Sequence, residues 1–108
     1  MLNKKKIRTD KQRLLGYTRL RLGYCNLNKH LKTIGLINNE NCTECNTSET
    51  VEHYLLHCIK YENQRLKLKH SICVDNQQLT LPNIFSNKTN NIKAVIEFIV
   101  STGKLTIL

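Results

Sequence analysis

The chain has 108 residues and a formal net charge of +9 at pH 7. This length suffices for one small domain with a thin core, of the kind that a metal ion, disulfides or a partner often supports. No stretch approaches the roughly 20 apolar residues that span a bilayer, and no apolar signal-peptide core follows Lys4, Lys5 and Lys6. We therefore expect no membrane association and an intracellular location, in the nucleus or the cytoplasm.

The excess positive charge lies in the first third of the chain. Residues 1–32 contain ten Lys or Arg and one acid, Asp10, whereas the remaining seven basic and seven acidic residues balance. Such asymmetry favours a polyanionic partner, most often nucleic acid, over a merely solvated basic tail. Tyr17 and Tyr24 are candidates for base stacking, although core packing is the simpler role for both. The candidate phosphate contacts are Arg8, Arg13, Arg19, Arg21, Lys29 and Lys32.

The first part of the chain predicts two helices. Residues 1–9 are interpreted as a disordered basic lead-in, and residues 10–36 as a basic helical segment. In its first helix, from Asp10 to about Tyr24, three leucines are expected to face the core. These are Leu14, Leu15 and Leu22. A second helix spaces its apolar residues by four and three, at Leu27, Leu31 and Ile34, and Gly35 signals its end.

The second part of the chain predicts two further helical regions. Residues 37–72 are interpreted as a metal-binding module with a helix that begins near Thr47, where Asn46 and Glu49 have N-cap and N3 character. Residues 73–108 are interpreted as a loop followed by a C-terminal helix over about 91–101, which Gly103 ends. The expected fold is a mostly α, small helical domain of four to five helices with one structural zinc site.

The cysteines and histidines of residues 42–58, CTECNTSETVEHYLLHC, point to a metal. A Cys-x2-Cys turn presents two thiolates to one ion, and a following helix can supply the remaining ligands of a tetrahedral Zn²⁺. A redox role for the pair would require a preceding strand, which the pattern does not indicate. Five cysteines would leave one thiol over in a disulfide framework, so a reducing compartment fits better.

The fourth ligand stays open from spacing alone. On an ideal helix His53 and His57 lie about 40° apart, whereas His53 and Cys58 lie about 140° apart. The set of Cys42, Cys45 and His53 with His57 therefore suits a regular helix, and the set with Cys58 requires the helix to end or distort. Cys58 also lies on an apolar stripe, where it could be an ordinary core residue. The two alternatives carry equal weight.

Two blocks of the chain resemble the C-terminal tail of jockey-type non-LTR retrotransposon reverse transcriptase polyproteins. These blocks are YTRLRLGYCNLNKHLKTIGL and CTECNTSETVEHYLLHCIKYENQR. The resemblance covers roughly residues 15–68. It implies a Cys-Cys-His-Cys zinc site with Cys42, Cys45, His53 and Cys58 as ligands, and it implies upstream domains of a parent polyprotein as further partners. Tyr24, where the family often has histidine, and Ile59, where proline is common, depart from the pattern.

The resemblance also implies what the chain does not do. The polymerase and ribonuclease H motifs of the family are missing, and no acidic cluster that could hold two catalytic metals precedes Glu40. We therefore expect no enzymatic activity, but a zinc-binding module that binds RNA or DNA without sequence preference. The alternative is a zinc-stabilised protein-interaction module whose basic face docks an acidic partner.

Overall fold

The computed structural model describes the backbone of residues 2–25, 27–73 and 77–103, with side chains from residue 11 onward. These residues form five α-helices, named α1 to α5, together with a π-helical turn and a 3-10 turn. The helices are α1 (Leu2–Leu22), α2 (Asn28–Thr33), α3 (Glu62–Ile72), α4 (Leu81–Ile84) and α5 (Thr89–Thr102), and the turns are His53–His57 (π) and Ile59–Tyr61 (3-10). The mostly helical fold that the sequence predicts is confirmed. Over the same residues the only extended pairing is an isolated bridge between Asn41 and Ser48.

The core is organised around α5, which packs against α1, α3 and α4. Apolar residues recur along α5 at helical spacing; two of them, Val95 and Ile99, are fully buried, and Phe98 is buried beside them. Phe98 meets the rings of Tyr54 and Tyr61 edge to face, with centroids 5.2 and 6.4 Å away. Edge-to-face pairs of this kind add to the stabilisation that burial alone provides. As predicted, α5 ends at Gly103, whose φ of 77° is one that glycine adopts without strain.

Helix α1 differs from its prediction at its start. It begins at Leu2, so the predicted disordered lead-in over residues 1–9 and the start at Asp10 are wrong for the residues that the structure describes. Residues 2–9 contain neither proline nor glycine and are rich in Lys, Leu and Arg, which lose little side-chain freedom in a helix. The helix is therefore continuous over 21 residues.

Helix α1 also differs in the face that it buries. Leu14, Leu15 and Leu22, predicted to face the core, are 57%, 47% and 64% exposed. The buried face instead contains Gly16, Tyr17 and Leu20. The Tyr17 ring meets Phe85 edge to face at 6.1 Å, so a contact between residues 68 positions apart in sequence helps to fix the orientation of the helix.

Helix α4 lies inside the segment that the sequence assigned to a loop. Thr80 and Asn83 cap it reciprocally: Asn83 N donates to Thr80 Oγ1 at 3.4 Å, and Thr80 N donates to Asn83 Oδ1 at 2.8 Å. Pro82 lies in the first turn, where its missing N–H costs no helical hydrogen bond. The proline therefore belongs to a helix start, and Ile84 of this short helix is fully buried. Within the described ranges, no helix combines the length and the apolar character needed to cross a membrane.

We predict that Phe98→Ala destabilises the fold by about 3–5 kcal/mol, because it leaves a cavity between two tyrosine rings. Urea unfolding followed by circular dichroism measures the change. Leu66→Ala is the control, since Leu66 is 55% exposed and its loss should stay within about 0.5 kcal/mol. Equal losses for the two variants would contradict the central position of Phe98.

Candidate metal centre

The loop before the π-helical turn brings two cysteines together. Cys42 N donates to the Thr47 carbonyl at 2.7 Å, and Asn46 N donates back to the Cys42 carbonyl at 2.9 Å. Asn46 has a φ of 53°, a left-handed conformation that asparagine tolerates better than most residues. These bonds close a tight turn over residues 42–47. The turn places Cys45 on the same side of the loop as Cys42.

Glu40 and Ser48 hold the base of this loop. The Ser48 hydroxyl donates to the Glu40 carboxylate, and the ammonium groups of Lys29 and Lys32 lie 3.5 and 3.3 Å from its oxygens. The Ser48 hydrogen bond, followed by the two lysines, lowers the pKa of Glu40 below its usual value. The ionised carboxylate therefore links α2 to both ends of the loop at neutral pH.

The helix predicted to begin near Thr47 starts later, and Glu49 has a different role from the one predicted. It does not lie in the first turn of that helix; its buried carboxylate accepts Asn28 N at 2.8 Å, and its carbonyl accepts Lys29 N at 3.2 Å. Glu49 thus satisfies N–H groups at the start of α2 that have no partner within the helix. The helical segment itself begins at residue 51, and Thr50 Oγ1 accepts His53 N at 3.0 Å.

The π-helical turn over His53–His57 decides the geometry of the fourth ligand. Cys58 N donates to the His53 carbonyl at 2.8 Å, which is an i→i+5 bond. This wider turn carries Cys58 round to the side on which His53 lies, and the chain then becomes extended at Cys58 (φ −65°, ψ 124°). The distortion that the Cys58 alternative requires is therefore present. His57 stays exposed.

Four side chains converge at this point: Cys42, Cys45, His53 and Cys58. Their ligand atoms all lie within 4.8 Å of one another, close enough to bind one metal ion. Cys58 Sγ is 3.7 Å from Cys42 Sγ and 3.9 Å from Cys45 Sγ. Cys42 and Cys58 are each 1% exposed, and Cys45 is half-buried. The site is therefore nearly closed to water, and one cysteine lies at its edge.

The imidazole of His53 has one ring nitrogen available for a cation. Its Nδ1 lies 3.4 Å from Thr47 Oγ1, whereas Nε2 is buried without a hydrogen-bond partner. A buried polar atom without a partner is unfavourable unless a ligand completes it. A metal-binding histidine usually forms a hydrogen bond through the ring nitrogen that does not bind the metal. These residues therefore fit a metal ion bound through Nε2.

Burial and backbone N–H groups set the protonation of the site. Burial, reinforced by the neighbouring thiols, raises the pKa of Cys58 to about 11, even though the Lys60 N–H lowers it. Burial also acts to raise the pKa of Cys42, but the backbone N–H groups of Cys45 and Glu44 outweigh it and lower the net value. Burial lowers the pKa of His53, which keeps the imidazole neutral. A bound cation would make deprotonation of the crowded thiols favourable, with release of protons.

The predicted nucleic-acid contacts are dispersed. Arg19 and Arg21 are exposed on α1, and Arg21 Nη1 donates to Asn87 Oδ1 at 3.4 Å. Arg13 is half-buried, and Lys29 and Lys32 are paired with Glu40. The side chain of Arg8 lies outside the described residues. Of the two candidate stacking residues, Tyr17 is buried, whereas Tyr24 is 66% exposed with its ring edge-on to His30 at 5.5 Å.

Several residues that support the site have no signal in the local sequence. Glu40, Glu49 and Arg65 act on atoms of distant segments, and most of their partners are backbone groups, which every residue carries.

Comparison of the chain with protein-family models, with curated proteins and with solved structures gives no match.

We predict that Cys58→Ser removes the metal from the purified protein, whereas His57→Ala retains one equivalent. Of these two residues, only Cys58 contributes a ligand atom to the cluster. Elemental analysis after gel filtration measures the metal content. Cys73→Ser is the matched control, since it removes a half-buried thiol outside the cluster. Full metal content in Cys58→Ser with loss in His57→Ala would assign the fourth position to His57.

Proposed function

We propose that the chain is a non-catalytic, zinc-binding module that binds nucleic acid through its basic N-terminal third. Convergence of Cys42, Cys45, His53 and Cys58 is the observation that carries the metal-binding part. Concentration of positive charge on residues 1–32 carries the nucleic-acid part. RNA and DNA are both suitable, because phosphate contacts carry no sequence information.

The sulfur geometry and the ligand types support zinc as the metal. A tetrahedral ion with Zn–S distances of about 2.3 Å separates its sulfurs by about 3.8 Å. The two sulfur–sulfur distances, 3.7 and 3.9 Å, match that edge. Three thiolates and one imidazole form a donor set that Zn²⁺ prefers, and four protein ligands leave no open position for water. When bound, the ion would cross-link the loop to the π-helical turn, so its role is structural.

Helix α1 supports the nucleic-acid role. Its 21 residues extend for about 31 Å, and Lys11, Arg19 and Arg21 are exposed along it. Contacts from such side chains to phosphates release counterions and give affinity that does not depend on sequence. Lys29 and Lys32 are 54% and 49% exposed although they pair with Glu40, so they remain accessible to phosphates.

The resemblance to the jockey-type tails supplies the proposed biological setting. In that setting the module is a C-terminal piece of a retrotransposon reverse transcriptase, and upstream domains of the parent polyprotein are its natural partners. The four ligands that the resemblance implies are the four side chains that lie together. This agreement supports the proposal but would also be expected of an unrelated Cys-Cys-His-Cys module.

The outer face of α1 favours one second candidate, a zinc-stabilised protein-interaction module. Leu15 and Leu22 are exposed there, on the side opposite the buried Tyr17 and Leu20, and the exposed Leu14 lies at the edge of this face. Phosphate groups make no use of leucine side chains. An apolar stripe flanked by Lys and Arg instead fits an amphipathic helix with acidic flanks, supplied by a partner protein or an upstream domain.

We predict one equivalent of zinc in the purified protein and loss of the fold when the zinc is removed. Structural zinc contributes about 10–16 kcal/mol of binding free energy at pH 7, which matches or exceeds the total stability of a typical small domain. Circular dichroism during exhaustive chelation should show loss of helix, and re-addition of Zn²⁺ should restore it. Acidification should release the metal as the thiolates gain protons. A fully helical protein after chelation, with no zinc recovered, would overturn the proposal.

We predict salt-sensitive binding to unrelated duplex and single-stranded oligonucleotides, measured by fluorescence anisotropy. Replacing Arg19 and Arg21 together by Gln should reduce the slope of log K against log salt for duplex DNA by about 1.8, since each phosphate contact contributes about 0.9. The control replaces Lys67 and Lys69 of α3 by Gln, which changes the net charge equally. Negligible affinity at low salt for every oligonucleotide would favour the interaction module instead.

A further inference from the structure

We propose that Arg65, which lies outside the ligand set, is the residue that positions Cys58 for the metal. This inference rests on the proposed zinc site. Arg65 lies on α3 and reaches back to the segment that ends the π-helical turn. Its Nε donates to the Leu55 carbonyl at 3.0 Å, and its Nη2 donates to the carbonyls of Tyr54 and Cys58 at 3.4 and 2.6 Å.

Two of these carbonyls, those of Tyr54 and Leu55, need a donor from outside the π-helical turn because of how the turn ends. In an α-helix the Tyr54 carbonyl would accept Cys58 N, but that N–H is donated to the His53 carbonyl. The chain then leaves the helix at Cys58, and the carbonyls of a last turn have no partners within their own helix. Tyr54 and Leu55 are buried, so an unpaired carbonyl on either residue would be unfavourable. The Cys58 carbonyl also accepts Tyr61 N at 3.3 Å, and Arg65 adds a shorter hydrogen bond to it at 2.6 Å. Arg65 stabilises the break that Cys58 requires.

The charge of Arg65, in addition to its geometry, favours the metal-bound site. Three thiolates around one divalent cation leave a net charge of −1, and the neutral imidazole does not change it. The guanidinium is bonded to the backbone of one of the three cysteines. A half-buried cation hydrogen-bonded to the Cys58 carbonyl would stabilise the anionic site and disfavour loss of the metal. Arg65 therefore acts on the metal through both geometry and charge.

Lysine cannot reproduce this arrangement. The guanidinium presents donors from Nε and Nη2 in a fixed planar fork, whereas a lysine ammonium is a single point on a flexible stem. Arg65→Lys keeps the charge but loses the simultaneous bonds to three carbonyls. Arg65→Gln loses the charge as well. The two variants therefore separate the electrostatic part of the role from the geometric part.

The test measures the rate of metal transfer from zinc-loaded protein to excess chelator, together with the absorption spectrum of the Co²⁺-substituted protein. Loss of a group that supports a metal ligand typically lowers metal affinity about 10–100-fold. Because we expect this loss of affinity to come from dissociation, Arg65→Gln should release zinc faster than wild type by about the same factor. The release rate of Arg65→Lys should lie between those of wild type and Arg65→Gln. The thiolate-to-cobalt charge-transfer band should weaken in Arg65→Gln, because Cys58 no longer occupies its position consistently.

Leu68→Ala is the matched control for a purely structural effect. Leu68 is buried on the same helix, and its truncation should lower the unfolding temperature without changing the cobalt spectrum and with release rates within about twofold of wild type. Wild-type release rates and spectra in both Arg65 variants would overturn the proposal. If Arg65→Gln does not fold, Arg65→Lys decides alone, by faster or unchanged release. Absence of metal from wild type would instead defeat the proposed function.

Discussion

The approach of Cys58 to Cys42 and Cys45, at 3.7 and 3.9 Å between sulfurs, is the constraint on which the middle of the molecule depends. This approach connects the loop over residues 42–47, of which only Cys42 is buried, to the π-helical turn, which packs into the interior. Thiol groups have no strong attraction for one another, whereas three thiolates at these distances can share one cation. The tight turn over residues 42–47 and the i→i+5 bond to His53 are the two backbone features that bring these sulfurs together.

The metal centre and the hydrophobic core share the same short segment. Tyr54 and Leu55 lie between the ligands His53 and Cys58 in sequence, and both are fully buried. The ring of Tyr54 packs against Tyr61 and Phe98, so the 3-10 turn and α5 contact the segment that carries two ligands. Loss of the metal would therefore loosen the core around Tyr54 and Leu55, and damage to these two residues would displace the ligands on either side of them. In a chain of 108 residues such coupling would compensate for limited burial.

Helix α1 presents different chemistry on its two sides. One side buries Tyr17 and Leu20 against the rest of the domain, and the other exposes leucines among basic residues. Affinity for phosphates comes from the basic residues alone, whereas a protein partner would use both kinds of side chain. The two proposed functions therefore differ in what they require of the leucines. A phosphate-binding helix would retain its affinity without them, and a docking helix would not.

Local patterns in the sequence determined the helical class, the apolar face of α5, its end at Gly103 and the set of candidate ligands, because periodicity, glycine conformation and Cys-x2-Cys spacing act over a few residues. Tertiary contacts decided the rest. Cys58, and not His57, joins the cluster because an i→i+5 bond widens the turn. The carbonyls of Tyr54 and Leu55, which have no partner within the turn, accept hydrogen bonds from Arg65 on another helix. Gly16, Tyr17 and Leu20 of α1 face inward, although the leucines on its other side are equally apolar. Contacts such as that between Tyr17 and Phe85 join distant parts of the chain, and no local pattern records them.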